Sequence, residues 1–364
     1  MSLSRCFQEF STVRAAGTAI AVAVALATAT PANADIVAVA DMLRGIGSTS
    51  AQCAVTPQAV WITVKGRSFC MRYYLASSGS EDRNPIVFLQ GDRLGVLNLK
   101  TGAYAVPANE QSINTDDLMR VAVALSRQTK ITAIYLGRVG VEGSSGDHRL
   151  RHSVLELQVT NAALDAIKQK HQFAGFHLLG QSGGAHLVAG LLALRKDIGC
   201  AVIGSGPLSP NRRPSPLGEP WLEQFNPATE APAIVRNGAS RIMVVTDPAD
   251  KKVSARTQTA FVRMVEQAGR PVEQYIVQAI DENRHGVVAY SRLALSGCLR
   301  GASTEEVARA VDRLVQQRVA AAKATIEKRA DGNKDNSAAS GQSQGHYTGA
   351  PEARPRAPEF THKE

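Results

Sequence analysis

Gly180-Gln181-Ser182-Gly183-Gly184 follows directly on the apolar run Phe176-His177-Leu178-Leu179 and leads directly into a second apolar stretch from Ala185 to Leu194. That order predicts a strand, a tight turn and a helix, with the serine lifted to the top of the turn. Such a nucleophile elbow needs glycines around the serine, because side chains there would collide with the strand and helix being joined. The same five-residue pattern recurs at Gly341-Gln342-Ser343-Gln344-Gly345, inside a polar tail with no strand before it and no helix after it. With 30 glycines in 364 residues an accidental match is unsurprising, so context assigns the role to Ser182 and not to Ser343.

A serine hydroxyl is a weak nucleophile and needs a base within hydrogen-bond reach, with a carboxylate behind that base to fix its tautomer. In the α/β-hydrolase arrangement the chain order is serine, acid, histidine, the last two on loops at the carboxyl ends of the final strands. Downstream of Ser182, the strand-like run Ile242-Met243-Val244-Val245-Thr246 leads into Asp247-Pro248-Ala249-Asp250, and Val272 to Ile280 leads into Asp281-Glu282-Asn283-Arg284-His285-Gly286. His285 is the expected base; His186, one helical turn past the elbow, would point along its own helix. Asp250 is the expected acid. Asp247 is the alternative, although an Asp-Pro pair also serves simply to open a turn, and Glu282 is a third candidate, close to His285 in sequence. The backbone N–H of Gly183 is the expected first oxyanion donor. The second is expected after the strand Pro85-Ile86-Val87-Phe88-Leu89, at Gly91 or Asp92, where Gly91 also reads as a plain turn residue.

Strand-like runs near Ile86, Ile131, Phe176, Ala201, Ile242 and Val272 alternate with helical segments, and Val60 to Val64 with Phe69 to Leu75 read as an antiparallel hairpin. Alternation implies an α/β fold with a mainly parallel sheet, whose ligand crevice lies at the carboxyl ends of the strands. Two loops on that edge are candidates for shaping a pocket. One runs from Arg138 to His148, where Ser144 and Ser145 read either as substrate contacts or as turn residues. The other, 205–239, is proline-rich and reads as a small cap, in which Trp221 and Phe225 either line an acyl site or pin the loop to the surface. Ser303-Thr304-Glu305-Glu306 is a capping box, opening a helix expected to run toward Glu327.

The string Arg138-Val139-Gly140-Val141-Glu142-Gly143-Ser144-Ser145-Gly146-Asp147-His148, the GQSGG elbow, the TDPADKKV segment and Arg284-His285-Gly286 resemble secreted bacterial α/β-hydrolases related to the prolyl-oligopeptidase (S9-like) catalytic domain. The similarity runs from about Val60 to about Leu295. It implies an α/β-hydrolase fold, a mainly parallel eight-stranded sheet flanked by helices, with serine acyl-hydrolase activity, no metal and no cofactor. Two features depart from that pattern. Gln90-Gly91 stands where many relatives have His-Gly, and no β-propeller precedes the domain, so oligopeptidase specificity does not carry over.

Arg5 and Arg14, an uninterrupted apolar stretch from Ala19 through Ala27, and Ala32-Asn33-Ala34 read as a secretory signal, 1–34, cleaved after Ala34. The apolar stretch falls short of the roughly 20 residues that span a bilayer. The expected location is therefore periplasmic or secreted, without a transmembrane anchor. The catalytic domain is expected over 35–329, and 330–364, rich in Gly, Ser, Gln, Asn and Pro, is expected to be disordered. Cys53, Cys70, Cys200 and Cys298 remain after cleavage, an even number suited to an oxidising compartment. Cys200 opens a parallel strand and Cys298 follows the helix after His285, so both fall at the bottom of the sheet and are expected to pair, leaving Cys53 with Cys70. Four reduced buried thiols is the alternative. No closely spaced His/Cys set suggests a metal site.

The formal net charge is +9, of which the signal carries +1, leaving +8. No dense Lys/Arg run accompanies it, so nucleic-acid binding is not expected, while attraction to anionic envelope surfaces or acidic substrates fits. The resulting expectation is a secreted serine hydrolase acting on an ester through an acyl-enzyme, with a small-molecule or peptide acyl substrate. The alternatives are an S9-like serine peptidase and a catalytically silent envelope binding protein on the same fold.

Overall fold

The computed structural model describes residues 39–95, 97–98, 103–210, 212–238 and 240–340. The expected leader, with its cleavage point, and the stretch 341–364 that carries Ser343 lie outside the described residues. In chain order the elements are α1 (Val39–Arg44), α2 (Ser50–Val55), β1 (Ala59–Val64), β2 (Arg67–Ala76), β3 (Ile86–Leu89), β4 (Leu97–Asn98), β5 (Ala103–Tyr104), α3 (Thr115–Thr129), β6 (Ala133–Leu136), α4 (Val154–His171), β7 (Phe176–Gln181), α5 (Gly183–Leu194), β8 (Ile198–Gly204), α6 (Ala231–Asn237), β9 (Arg241–Thr246), α7 (Ala255–Gln267), β10 (Glu273–Ile276), α8 (Val288–Leu299) and α9 (Thr304–Ser340).

The hairpin forms because its loop has only two residues, Lys65 and Gly66, both at positive φ (49° and 72°), the twist that joins antiparallel strands without splaying them. Eight strands make one sheet in the order β1-β2-β6-β3-β7-β8-β9-β10. β1 and β2 are antiparallel, as are β2 and β6, and every later pairing is parallel. The chain passes from β3 to β6 on one side and then returns to β7 on the other. That reversal opens a crevice at the carboxyl ends of β3 and β7.

The central strands are apolar on both faces, and their period of two divides them between two cores. Val87, Leu89, Ile134, Leu136, Ile203 and Val244 pack with α4, α5, α6 and α7. Ile86, Phe88, Ala133, Val202 and Met243 pack with α3, α8 and the start of α9. The disulfides are Cys53–Cys70, joining α2 to β2, and Cys200–Cys298, joining β8 to the last turn of α8. Both pairings are those expected from the sequence. By loop closure they contribute about 3 kcal/mol and about 4.7 kcal/mol, the larger for the longer loop.

Two boundaries differ from expectation. Ser303 and Glu306 exchange the hydrogen bonds of the capping box (2.8 and 3.2 Å), but α9 continues past Glu327 to Ser340. The helix thus takes in residues 330–340 of the segment expected to be a disordered tail, a stretch in which Gly332 is the only glycine or proline. The proline-rich segment 205–239 is not all cap either. Pro232 starts α6, which buries Ala231 and Ile234 against the core, so only its first part, up to about Asn226, lies over the sheet edge.

Candidate active site

β7 ends at Gln181 and α5 begins at Gly183, leaving Ser182 alone at the corner with φ 54° and ψ −123°. A non-glycine residue held there costs on the order of 1–3 kcal/mol, sustained by the packing around it. The glycines are required by that packing. A Cβ on Gly180 would come within 2.5 Å of the Ala185 Cα, and one on Gly184 within 2.0 Å of the Leu89 carbonyl oxygen. The Ser182 amide donates to the Gly204 carbonyl (2.8 Å), anchoring the corner to β8.

The loops after β9 and β10 meet beside this corner. Nδ1 of His285 lies 2.8 Å from Oδ2 of Asp250, whose side chain is fully buried while the imidazole keeps partial exposure. Burial pushes the Asp250 carboxyl up, yet the hydrogen bond from His285 and those from the Val253 and Lys252 amides outweigh it and hold the group below its ordinary value. An ionised carboxylate only accepts, so the proton sits on Nδ1 and the Nε2 lone pair is left for a hydroxyl. The His285 backbone is fixed from two sides. Gln181 Nε2 donates to its carbonyl (2.8 Å), and Asp281 accepts from the amides of His285 and Gly286 (3.1 and 2.8 Å). Gln181, next to Ser182, thereby couples the histidine loop directly to the elbow. Its sequence signal was a polar residue ending an otherwise apolar strand.

Asp247 has a different task. Buried, it accepts from Arg284 Nε (2.7 Å) and Nη2 (3.0 Å) and from the amides of Ala279 and Ala249 (2.7 and 2.8 Å), clamping the two loops together without touching the imidazole. Glu282 is exposed. His186 is buried in α5 with Nδ1 on the Pro207 carbonyl (3.0 Å), and burial first, then the charge of His152, push its pKa well down.

Gly91 faces the elbow: a Cβ there would stand 3.0 Å from the Ser182 Cβ and 3.6 Å from its Oγ. The Arg93 amide is committed to Nε2 of His148 (3.1 Å), whereas the amides of Gly91 and Asp92 donate to no described residue. Gly183 opens α5, so its amide has no partner inside the helix. These are the donors that an oxyanion at Ser182 would need.

The oxyanion loop rests on a buried ionic cluster that the sequence reading did not identify. Arg138, with no exposed surface, donates from Nε and Nη2 to Glu156 (3.0 and 3.2 Å), and from Nη1 to Asp92 (2.8 Å) and the Gln90 carbonyl (3.3 Å). Asp92 Oδ2 also lies 3.3 Å from Arg151 Nε and 3.2 Å from His152 Nε2. Burial raises the Asp92 carboxyl, but His152 and Arg138 outweigh it and drive it well below the ordinary carboxylate range. Arg93 on the other flank donates to Glu142 (2.8 Å) and the Tyr135 hydroxyl (2.7 Å) and pairs with Glu110. Burial and the charge of Arg138 push His148 well down. The available signal was the density of ionisable residues between β6 and α4, from Arg138 to Glu156, where a solvated loop is the ordinary reading.

Ser144 and Ser145 do not face the crevice, contrary to one expectation. Both are buried, and their hydroxyls accept from the β2 amides of Arg72 (3.0 Å) and Cys70 (2.8 Å). Each replaces a carbonyl partner that β2 lacks there. On the cap, Phe225 pins the segment, its ring edge-on to His186 and its amide on the His152 carbonyl (3.0 Å). Trp221 remains exposed, with the Arg212 guanidinium 4.6 Å above its ring. Among the described residues no group of three or more His, Cys, Asp and Glu side chains is arranged to hold a metal ion, and no helix is long and apolar enough to cross a membrane.

No family model matches the chain, and no curated protein does. Solved structures match in shape at low identity. An esterase of Pyrococcus furiosus is 14% identical with a TM-score of 0.48, over 71% of this chain and 98% of its own. The acylaminoacyl peptidase of Pyrococcus horikoshii is 15% identical with a TM-score of 0.43, over 67% of this chain and 40% of its own. The strand order, with its two antiparallel pairings at one edge and the serine corner between β7 and α5, is decisive on its own: the chain has the α/β-hydrolase fold.

Proposed function

We propose that this protein is a serine hydrolase that cleaves an ester through an acyl-enzyme. The observation that carries the reading is the 2.8 Å contact between His285 Nδ1 and Asp250, on loops tied by Gln181 to a serine at φ 54°. Ser182 Oγ attacks the acyl carbonyl carbon while its proton passes to Nε2 of His285. The oxygen that gains charge accepts from the Gly183 amide and from that of Gly91 or Asp92. When the tetrahedral intermediate collapses, the bond to the alcohol breaks and the alcohol leaves with the proton from His285. Water then attacks the acyl-enzyme, giving its proton to His285, and the carboxylic acid departs as Ser182 regains its hydrogen. The described residues supply acid–base and electrostatic catalysis for these steps. A peptide amide would pass through the same steps with an amine leaving in place of the alcohol.

The same reading has a leader at 1–34 removed after Ala34, a catalytic domain from Asp35, and export to an oxidising compartment, in keeping with the two disulfides. A fluorophosphonate probe tests the activity. It is expected to label the folded protein and Ser343→Ala but not Ser182→Ala. Absence of labelling in the wild type would instead support a catalytically silent binding protein.

A further inference from the structure

Beside the oxyanion loop lies a guanidinium that the proposed reaction does not use. The guanidinium of Arg213, partly buried in the cap, makes one hydrogen bond among the described residues, from Nη2 to the carbonyl of Arg151. Among the described residues no carboxylate forms an ion pair with it, and the two acids in its neighbourhood are occupied. Asp92 serves Arg138, Arg151 and His152, and Glu156 serves Arg138 and the His152 amide (2.7 Å). Arg138 and Arg151 thus take up both carboxylates, so the Arg213 guanidinium has no carboxylate partner of its own among the described residues. Burial and the charge of Arg151 push the Arg213 pKa down, the direction expected of a cation short of counter-charge.

A line of contacts links this guanidinium to the elbow. A Cβ on Gly183 would stand 2.0 Å from Asp92 Oδ1, and Asp92 Oδ2 contacts Arg151, whose carbonyl holds Arg213. Arg151 is itself spoken for: Nη2 donates to the Gly95 carbonyl (3.1 Å), Nη1 to that of His148 (3.4 Å), and the group stacks over Tyr104 at 4.9 Å. Arg212 adds a second cation on the exposed side of the cap, over Trp221. A partly desolvated guanidinium with unused donors is complementary to a planar carboxylate, which accepts from two of its nitrogens at once.

We propose that Arg213, flanked by Arg212, binds a carboxylate carried by the substrate, so that the enzyme selects esters with a negatively charged acyl or alcohol part. This rests on the serine-hydrolase reading above. A neutral ester leaves Arg213 without its counter-charge. An anionic one supplies that counter-charge.

The test compares kcat/KM for p-nitrophenyl hemiglutarate with p-nitrophenyl valerate, its uncharged counterpart, and for 4-carboxyphenyl butyrate with phenyl butyrate. At low ionic strength one anionic ester is expected to be favoured by roughly tenfold or more, as for a charge-assisted hydrogen bond, and added salt reduces the preference. The favoured pair tells whether the carboxylate rides on the acyl or the alcohol side. Arg213→Gln is expected to abolish the preference and Arg213→Lys to retain part of it. Should Arg213→Gln fail to fold, inhibition of the wild type decides: glutarate is expected to compete and glutaramide not. Hydrolysis through Ser182 with no preference for charge, or a preference that survives Arg213→Gln, overturns this inference and leaves the hydrolase reading standing. Failure of the wild type to cleave any of these esters or to take up fluorophosphonate overturns both.

Discussion

The two flanks of the Ser182 corner are held by opposite means. On one side, the His285 loop is positioned mostly by contacts that carry at most one charge: a glutamine on a carbonyl, an aspartate on two amides, one carboxylate on one imidazole, with a single ion pair, Asp247 and Arg284, behind them. On the other, Gly91 and Asp92 ride on a buried lattice of arginines and acids. The difference follows from what each side must do. In the proposed reaction the histidine takes and returns a proton in every cycle, and its nearest partner is a single carboxylate that would stabilise the imidazolium without competing for Nε2. The oxyanion donors must not move at all, because preorganised dipoles work only when no reorganisation is needed. Permanent charges buried in pairs supply that rigidity, at the risk that removing any one partner strands the others.

The largest expected effect separates the two aspartates. Asp250→Asn lowers kcat by on the order of ten-thousandfold, equivalent to about 5 kcal/mol, while its side-chain oxygen still accepts from the Lys252 and Val253 amides and its melting temperature stays near that of the wild type. Asp247→Ala instead destabilises the fold by leaving Arg284 and two amides unpaired, and its surviving folded fraction keeps more activity. Steady-state kinetics beside thermal melts check this, and the reverse pattern would break the division between the flanks.

Next comes Arg138→Met, which strands Asp92 and Glu156 in the interior and should cost about 3–5 kcal/mol by urea denaturation. A loss under about 1 kcal/mol would show that the cluster is not the support described here.

A smaller effect comes from pH. His148 and His186 have folded pKa values below their unfolded ones, so the unfolded chain binds their protons first as pH falls through about 6.5. The free energy of unfolding should hold above about pH 7 and drop below about pH 6.5, by up to about 1.4 kcal/mol per pH unit for each histidine. The lowered Asp92 and Asp250 add their own loss only near pH 4 and below. A stability flat from pH 7 to 5 would contradict the neutral, buried state of these rings.

Smallest is Ser145→Ala, which frees the buried Cys70 amide and should cost about 1–3 kcal/mol of stability. Its effect on KM should be negligible, where a substrate contact would raise KM.

The histidine flank was the legible one. Apolar period-two strands announce themselves, each ends in a loop that must lie at the sheet's carboxyl edge, and the glycines around Ser182 mark where backbones crowd. Even the pairing of Cys200 with Cys298 followed from which end of the sheet each occupies. Asp247 and Asp250, three positions apart on one loop, differ only in where the tertiary fold turns them, which local sequence does not encode. The arginine flank left no readable pattern. Charged residues between β6 and α4 carry no periodicity, and their burial depends on partners in distant segments, Arg138 with Asp92 and Glu142 with Arg93. Ser144 and Ser145 misled for the same reason: in a glycine-rich stretch, local sequence does not say whether a hydroxyl faces solvent or an unpaired strand amide.

Acid-quenched peptide mapping after brief exposure to p-nitrophenyl acetate tests the central claim most directly. The account predicts an acetyl group on the peptide containing Ser182, formed in a burst of p-nitrophenol by the wild type and lost in His285→Ala. An acetyl group on another residue, or one that forms as fast without the imidazole, would contradict it.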